Sequence, residues 1–338
     1  MPRYTALRNR KRSNKNGDLF LAYGALTVVT LIWALAGPVI KLTLQEVPPM
    51  HFLFFRLLIV CVILLPSLSF QLKKDPIKSK EIPTLIMLGL LSQSSLALTF
   101  MGYKYTTALD AAIITLLSPL LAVAAGHYYF NEKVGVKTKM GIAVASIGTF
   151  LIIIEPFLMD GATLKTKELK VLGNILILTA TLAFLVFTLW SKYAEGEKST
   201  KIKRIFKLLQ LHKLKKGRSP ITITFITFYV GLASSIPLLI LETKGYLGPT
   251  NFSIYSLQTG AIMGILYMAI FSSIIAYTLY EWSLKIASVA DTAFFNYLSP
   301  VFTLPFAYLL LSEIPTKINL IGAGIIGIGV LIAEQKKS

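Results

Sequence analysis

"DAAIITLLSPLLAVAAGHYYFNE", residues 110–132, has an echo in "DTAFFNYLSPVFTLPFAYLLLSE", residues 291–313. In both, an Asp opens the stretch, a Leu-Ser-Pro follows with its serine eight residues on, and a Glu stands fourteen residues after that serine. The first copy is free of Asp, Glu, Lys and Arg from Ala111 to Phe130, the second from Thr292 to Ser312. A bilayer's hydrocarbon core is about 30 Å thick and takes roughly 20 helical residues to cross, so each copy is long enough to span it. The chain writes one membrane span twice, 181 residues apart.

Composition extends that reading to the whole chain. Of 338 residues, 54% are hydrophobic and 15% charged, against about 25% charged in a soluble protein. Further blocks without charge run over Leu19–Ile40, Ile82–Tyr103, Val171–Ser191 and Ser219–Leu241. Two shorter ones, Met140–Ile154 and Ile318–Ala333, can cross if flanking Lys and Glu snorkel or the bilayer thins. The expectation is an all-α integral membrane protein with ten spans, at about 19–42, 50–71, 82–104, 110–130, 139–155, 171–191, 219–241, 258–284, 291–311 and 318–334. No small-residue cleavage site follows the long first span, so a removable signal peptide is not expected. The single cysteine, Cys61, lies inside the second span and forms no internal disulfide.

A net charge of +18 invites a nucleic-acid reading, which topology removes. With the N-terminus inside, 26 of the 34 Lys and Arg fall on the cytoplasmic side and 7 outside, with Arg56 within a span. The positive-inside rule then puts both termini in the cytoplasm of a plasma or inner cell membrane. Ten of the inner cations sit in the loop 192–218, where Ile202, Ile205, Phe206 and Leu209 form a helical stripe. The loop reads as a basic amphipathic helix on anionic lipid, in preference to a solvated linker. Nucleic acid is not expected as a partner, since no aromatic platform accompanies the charge.

The doubled stretch occupies the fourth and the ninth spans, an odd number apart, so the copies cross in opposite directions. Gly141 and Gly322 keep the offset of 181, as do Gly148 and Gly329, while Pro49/Pro220 and Pro66/Pro237 share an offset of 171. The expected organisation is a basic tail (1–18), a first five-helix repeat (19–155), an outer linker (156–170) and a second, inverted repeat (171–334) that carries the basic loop. Inverted repeats characterise secondary transporters, because two similar halves can exchange conformations around a site between them.

"SSIIAYTLYEWSLKIASVADTAFFNYLSPVFTLPFAYLLLSEIPTKINLIGAGIIGIGVLI" resembles the C-terminal repeat of the drug/metabolite transporter superfamily, in its ten-helix EamA branch. The N-terminal half is similar through "IWALAGPVIK", "FLFFRLL", "LLSP", "FNEK" and "GIAVASIGTFLI". The resemblance covers about 19–155 and 171–334. It implies a carrier with a central cavity that moves amino acids or other small metabolites, mostly outward.

Several residues invite a site. Ser118-Pro119 and Ser299-Pro300 lie mid-span, where proline removes a backbone bond and kinks the helix. Asp110 and Asp291 read as helix caps, and Glu132 and Glu313 as caps of the following span or partners of Lys133 and Lys317. "GAGIIG", 322–327, matches a dinucleotide pattern by accident, because no strand precedes it; Ala323 and Gly327 there suit close helix approach. Candidate substrate-binding groups are Trp33, Arg56, Gln93, Ser118, Tyr277, Glu281, Asn296 and Tyr297, which would build an aromatic pocket with a few polar groups. Arg56 is an intramembrane cation, suited to a substrate carboxylate or to a helix C-terminal carbonyl. Glu281 pairs with Lys285 at i,i+4 or couples protons. The first span carries no acid, which disfavours efflux of lipophilic cations.

The function expected is a small-metabolite transporter, amino acids outward, with a nucleotide-sugar, sugar or lipid-precursor carrier as the alternative and a non-transporting membrane scaffold as the rival of another class. Hydrolytic or metal chemistry has no motif: His51, His127 and His212 are scattered, and no cofactor or metal is expected. Oligomeric state is open, a homodimer included.

Overall fold

The computed structural model describes residues 2–131, 133–159, 163–215, 220–248, 252–283, 286 and 289–334, without the side chains of 2–18, 220–221, 256, 281, 289–294, 296 and 334. Glu132, Lys285 and the side chain of Asp291 lie outside the described residues. In hydrocarbon an unpaired backbone N–H or C=O finds no water, which leaves helices as the solution for apolar runs of this length. Helices make up the described chain: α1 (Pro2–Thr43), α2 (Pro49–Lys74), α3 (Ile82–Tyr105), α4 (Ala108–Thr115), α5 (Leu117–Phe130), α6 (Val136–Leu158) and α7 (Leu164–Ala194). They continue as α8 (Thr200–Leu208), α9 (Pro220–Thr243), α10 (Thr259–Leu266), a π-helix (Tyr267–Ile275), α11 (Ala276–Ser283), α12 (Val289–Leu311) and α13 (Lys317–Glu334). Among the described residues, eight helical segments are long and apolar enough to cross a membrane, and two shorter apolar ones cover Tyr297–Leu311 and Lys317–Ala333. The chain is a multi-pass membrane protein. Large apolar side chains such as Phe20, Val62, Ile147, Phe150, Leu309 and Leu331 are exposed around the helices, as a lipid-facing surface requires.

Long-range hydrogen bonds sort the helix termini into two ends. At the basic end, the loop after α7 is strapped across α2 and α3: His212 N donates to Thr84 Oγ1 (3.1 Å), Lys215 N to Glu81 Oε1 (2.5 Å), and Lys215 Nζ meets Asp75 Oδ1 (2.7 Å). At the opposite end, Glu242 closing α9 accepts from the N–H groups of Met50 (2.9 Å) and His51 (3.0 Å), the first turn of α2. Between the ends, α6 packs on α13, α3 on α7 and α9, α1 on α12, and α2 on α9.

The stripe expected in the basic loop divides. Beyond α7, the helical part of its described residues is Thr200–Leu208, where Ile202 and Phe206 are buried, with Phe206 against the rings of Tyr193 (4.7 Å) and Trp190 (5.5 Å). Leu208 and Leu209 are exposed beside Lys201, Lys203, Arg204 and Lys207.

Backbone irregularity falls where the sequence puts proline once, and where it does not once more. The helix breaks at Leu116, between α4 and α5, since Pro119 cannot donate to the Thr115 carbonyl four residues back. Its counterpart α12 runs unbroken through Pro300 and Pro305, so the kink appears in one copy. The π-helix has no proline and no sequence signal.

The tightest backbone-to-backbone approach at a described glycine occurs where α6 crosses α13. A Cβ on Gly141 would lie 2.3 Å from the Gly329 carbonyl oxygen, and one on Gly148 would lie 2.8 Å from the Gly322 carbonyl oxygen. Gly327, expected to serve such an approach, faces open space instead; the contact falls to either side of it, at Gly322 and Gly329. Gly329→Ala should therefore destabilise by about 1–3 kcal/mol, read as a lower thermal midpoint in detergent. Gly327→Ala should leave that midpoint unchanged or slightly raised. Equal midpoints for the two variants would contradict the crossing.

Candidate functional site

Polar residues recur on one face of α3 and one face of α7. Ser92, Ser95, Thr99 and Tyr103 follow the i, i+3/i+4 spacing that lines one helix stripe, as do Ile177, Thr181, Phe184, Thr188 and Ser191. These faces bound the second and third of three adjoining cavities. The first, about 180 Å³, is lined by Thr115, Leu116, Ser118, Pro119 and Ser299. It shares Thr115 and Ser118 with a second of about 170 Å³ that reaches Ser95, Thr99, Tyr103 and Thr181. Through Phe184 the second meets a third, about 340 Å³, walled by Phe187, Phe228, Tyr277 and Tyr280, whose far rim is Ser191, Lys192 and Glu195 at the basic end of α7. The series is hydroxylic near the two Leu-Ser-Pro motifs and aromatic toward the basic end. Such a lining can orient a small, partly apolar solute by a few hydrogen bonds while burying its apolar body.

The expected site residues distribute around this path. Ser118 lines the first two cavities and Tyr277 the third. Trp33 stands behind the wall, its ring 5.5 Å from Tyr277 and 5.2 Å from Tyr280, while its Nε1 donates to the Ser272 carbonyl (3.3 Å). Gln93 is buried between α3 and α9. Its Nε2 donates to the Thr227 carbonyl (3.3 Å), its Oε1 has no partner among the described atoms, and a Cβ on Gly231 would meet its side chain at 2.2 Å. Tyr297 is half-buried in α12. The side chains of Glu281 and Asn296 lie outside the described residues. Thr99, Tyr103 and Thr181 join the lining without having been singled out from the sequence, although their spacing on α3 and α7 carries the signal.

Arg56 is 3% exposed. Its Nε donates to Ser273 Oγ (2.9 Å) in the π-helix, and its guanidinium lies 5.7 Å from the centroid of Phe100. Among the described residues, no carboxylate forms an ion pair with it and no helix C-terminal carbonyl accepts from it. A desolvated cation with one hydroxyl partner is costly.

At the end away from the basic loop lies a buried polar network. Lys170 Nζ bridges Asp110 Oδ2 (3.0 Å) and Glu155 Oε2 (2.7 Å). Asn319 donates to Asp110 Oδ1 (2.8 Å), Thr106 Oγ1 donates to Asn174, and Asn174 Nδ2 donates to the Ile152 carbonyl (3.1 Å). Asp110, Glu155, Asn174 and Asn319 are all buried. Two cap assignments change as a result. Asp110 is not the cap of α4: Thr107 is, accepting from Asp110 N (3.0 Å), in a Thr-x-x-Asp pattern. Glu313 does not cap the following α13, which Thr316 and Asn319 cap reciprocally, and among the described residues it pairs with no lysine at ion-pair distance. It reaches back across the fold to the N–H groups of Ala108 (3.1 Å) and Leu109 (3.2 Å). Burial pushes the Glu313 carboxyl above the usual carboxylate range, and those N–H bonds and nearby Lys41 pull it back down in part. Lys41 itself donates to the carbonyls of Tyr103 (3.1 Å) and Thr106 where α3 ends.

Comparison with known proteins says what kind of helical membrane protein this is. The model of the EamA-like transporter family matches residues 20–154 and 208–334, and the chain belongs to that family. It is 25% identical to an uncharacterized transporter of Archaeoglobus fulgidus, over 92% of this chain and 96% of that one. It is 26% identical to a probable amino-acid metabolite efflux pump of Salmonella typhimurium, over 95% of each. A solved crystal structure shares the fold with a TM-score of 0.54 at 15% identity, over 93% of this chain and 96% of that chain.

Because Arg56 is desolvated without a carboxylate, Arg56→Met should hold or raise the thermal midpoint in detergent, by about 1–4 kcal/mol of added stability at most. A clear drop would mean the guanidinium is a structural strut.

Proposed function

We propose that this transporter moves small organic metabolites, amino acids outward foremost, by alternating access through a cavity between two inverted five-helix repeats. The observation that carries the reading is that the serines of both Leu-Ser-Pro motifs, Ser118 and Ser299, line one cavity. Two halves contribute the same residue to one site, as alternating access between near-equivalent halves requires.

Helix pairing supports the repeat. An offset of 181 carries Gly141 onto Gly322 and Gly148 onto Gly329, so the Gly141–Gly329 and Gly148–Gly322 approaches are one contact made twice. Exchanging the halves turns the α3–α7 pairing into that of α1 with the α10–α11 span, and the α1–α12 pairing into that of α7 with the α4–α5 span; each is present. The family match in two separate stretches supports it too. Ten spans follow once Tyr297–Leu311 and Lys317–Ala333 are counted with their flanks, with both termini and the basic end in the cytoplasm of the cell membrane.

Amino acids are favoured by the name of the Salmonella relative and by a lining of hydroxyls and aromatic rings. Ser118 and Tyr277 contact the substrate, Trp33 and Tyr297 shape the wall, and Gln93 fixes α3 against α9. Arg56 receives the substrate's carboxylate, the counter-charge it lacks. The exposed Lys201, Lys203, Arg204 and Lys207 of α8, with Leu208, rest on anionic lipid headgroups.

Counterflow in proteoliposomes tests the reading. Vesicles preloaded with an amino acid should accumulate the same labelled compound, and counterflow of sugars or nucleotide-sugars with amino acids inert would overturn the choice of substrate. Arg56→Gln should weaken transport of carboxylate-bearing substrates about tenfold more than of their neutral analogues, the scale of one charge-assisted hydrogen bond. Equal losses would remove Arg56 from the site.

A further inference from the structure

The cavity series ends in two different ways. Toward the basic end, its third chamber is bounded by Ser191, Lys192 and Glu195, with Glu195 exposed. Toward the other end, it stops at Thr115, Ser118 and Tyr103, and beyond them lies the network of Asp110, Glu155, Lys170, Asn174, Glu313 and Asn319. We infer that this network is the outer gate of the carrier, closed in this structure, with Lys170 as its bolt. The inference rests on the alternating-access reading above.

Three features point to a gate over a static brace. First, the bonds run between the two halves. Asp110, Glu155, Thr106, Ile152 and the N–H groups of Ala108 and Leu109 come from residues before 160, whereas Lys170, Asn174, Glu313 and Asn319 come from residues after it. Moving α7 away from α4 and α6 to open the path at this end would part Lys170 and Asn174 from their partners. Second, the pairs are of a kind that reopens cheaply. Closing them strips water from two carboxylates and an ammonium, a cost that offsets most of their attraction. When the end opens, water returns to each charge and the difference between states stays small. An apolar seal of similar extent would resist opening by about 25 cal/mol for every Å² exposed.

Third, the network is directly coupled to the lining. Lys170 lies two turns before Ile177, and Asn174 two turns before Thr181, on the face of α7 that bounds the second cavity. Asp110 lies five residues before Thr115 on α4, which ends at the Leu116 break. Tyr103, a wall residue, has its carbonyl held by Lys41. A rigid shift of α4 or α7 that parts Lys170 from Asp110 therefore moves cavity walls in the same step. Lys170 keeps 24% of its side chain exposed while both its carboxylate partners are sealed, so of the three charged side chains it is the one with an open side. The lysine is the group that leaves.

Thiol labelling tests the gate. In full-length protein with Cys61→Ser, a Thr115→Cys reporter is exposed to a membrane-impermeant thiol reagent added on the side away from the basic loop, and counterflow is measured on the same preparation. Lys170→Met should raise that labelling rate severalfold and lower counterflow, while Lys170→Arg, which keeps both ion pairs, should label like the parent. Asp110→Asn, which weakens one pair and keeps the Asn319 contact, should fall between. Labelling that is indifferent to all three, in protein that still supports counterflow, overturns the gate and leaves the carrier intact. Silent counterflow across the panel in the native protein, without the reporter, overturns the carrier reading, and a labelling rise in Lys170→Met would still mark this end as the one that opens. Should Lys170→Met not fold, the comparison of Asp110→Asn with Lys170→Arg decides alone: equal labelling sinks the proposal.

Discussion

Hydrocarbon offers no hydrogen bond to a stray backbone group, and that constraint governs everything else in this chain. Apolar runs become helices because each N–H and C=O must be answered within its own segment. Departures from the ladder are confined to places where a neighbour or a cavity compensates. The break at Leu116 borders the cavity shared by Ser118 and Ser299. The π-helix of Tyr267–Ile275 is clasped from outside: Trp33 donates to the Ser272 carbonyl, and Tyr267 donates its hydroxyl to the Ile32 carbonyl (2.8 Å). Irregular backbone and candidate site coincide because both need something polar at membrane depth.

Within those limits the helices are held by two unlike means. Where α6 meets α13, paired glycines bring backbones into contact, and van der Waals packing between small residues does what burial from water would do in a soluble core. Where α4, α6, α7 and α13 meet, buried charge and amide groups hold the elements together. The first kind of contact is shape-dependent and hard to exchange. The second has a competitor, since water can replace any member of it. The distribution of the two is the physical basis for assigning permanence to one region and movement to the other.

Eight of the expected spans were legible, because an apolar run of some twenty residues without a charge suits little besides a bilayer. The doubled Leu-Ser-Pro stretch likewise pointed to the cavity that Ser118 and Ser299 share. Trp33 and Tyr277 could be nominated as polar-tipped aromatics inside spans, and their rings do meet. Long-range pairing stayed hidden. Asp110 looks like a cap from its own neighbourhood, and its ion pair with Lys170 exists only because α7 packs beside α4. Glu313 finds its partners in Ala108 and Leu109, some two hundred residues earlier. Gln93 looks poised for substrate, yet its amide is turned to the Thr227 carbonyl. Local sequence encodes helix and face; which faces meet is a property of the whole assembly.

The π-helix carries one further consequence. An α-helix turns about 100° per residue, whereas the wider π-turn absorbs an extra residue without advancing the helix by a full step. Residues 267–275 thus act as a phase-setter for everything after them, and Tyr277 and Tyr280 face the cavity because of it. Were those nine residues to relax to ordinary pitch with none removed, everything after them would turn by about one α-helical step, roughly 100°. The aromatic wall would then swing away from the path as one unit, with every side chain chemically intact and none of them in place.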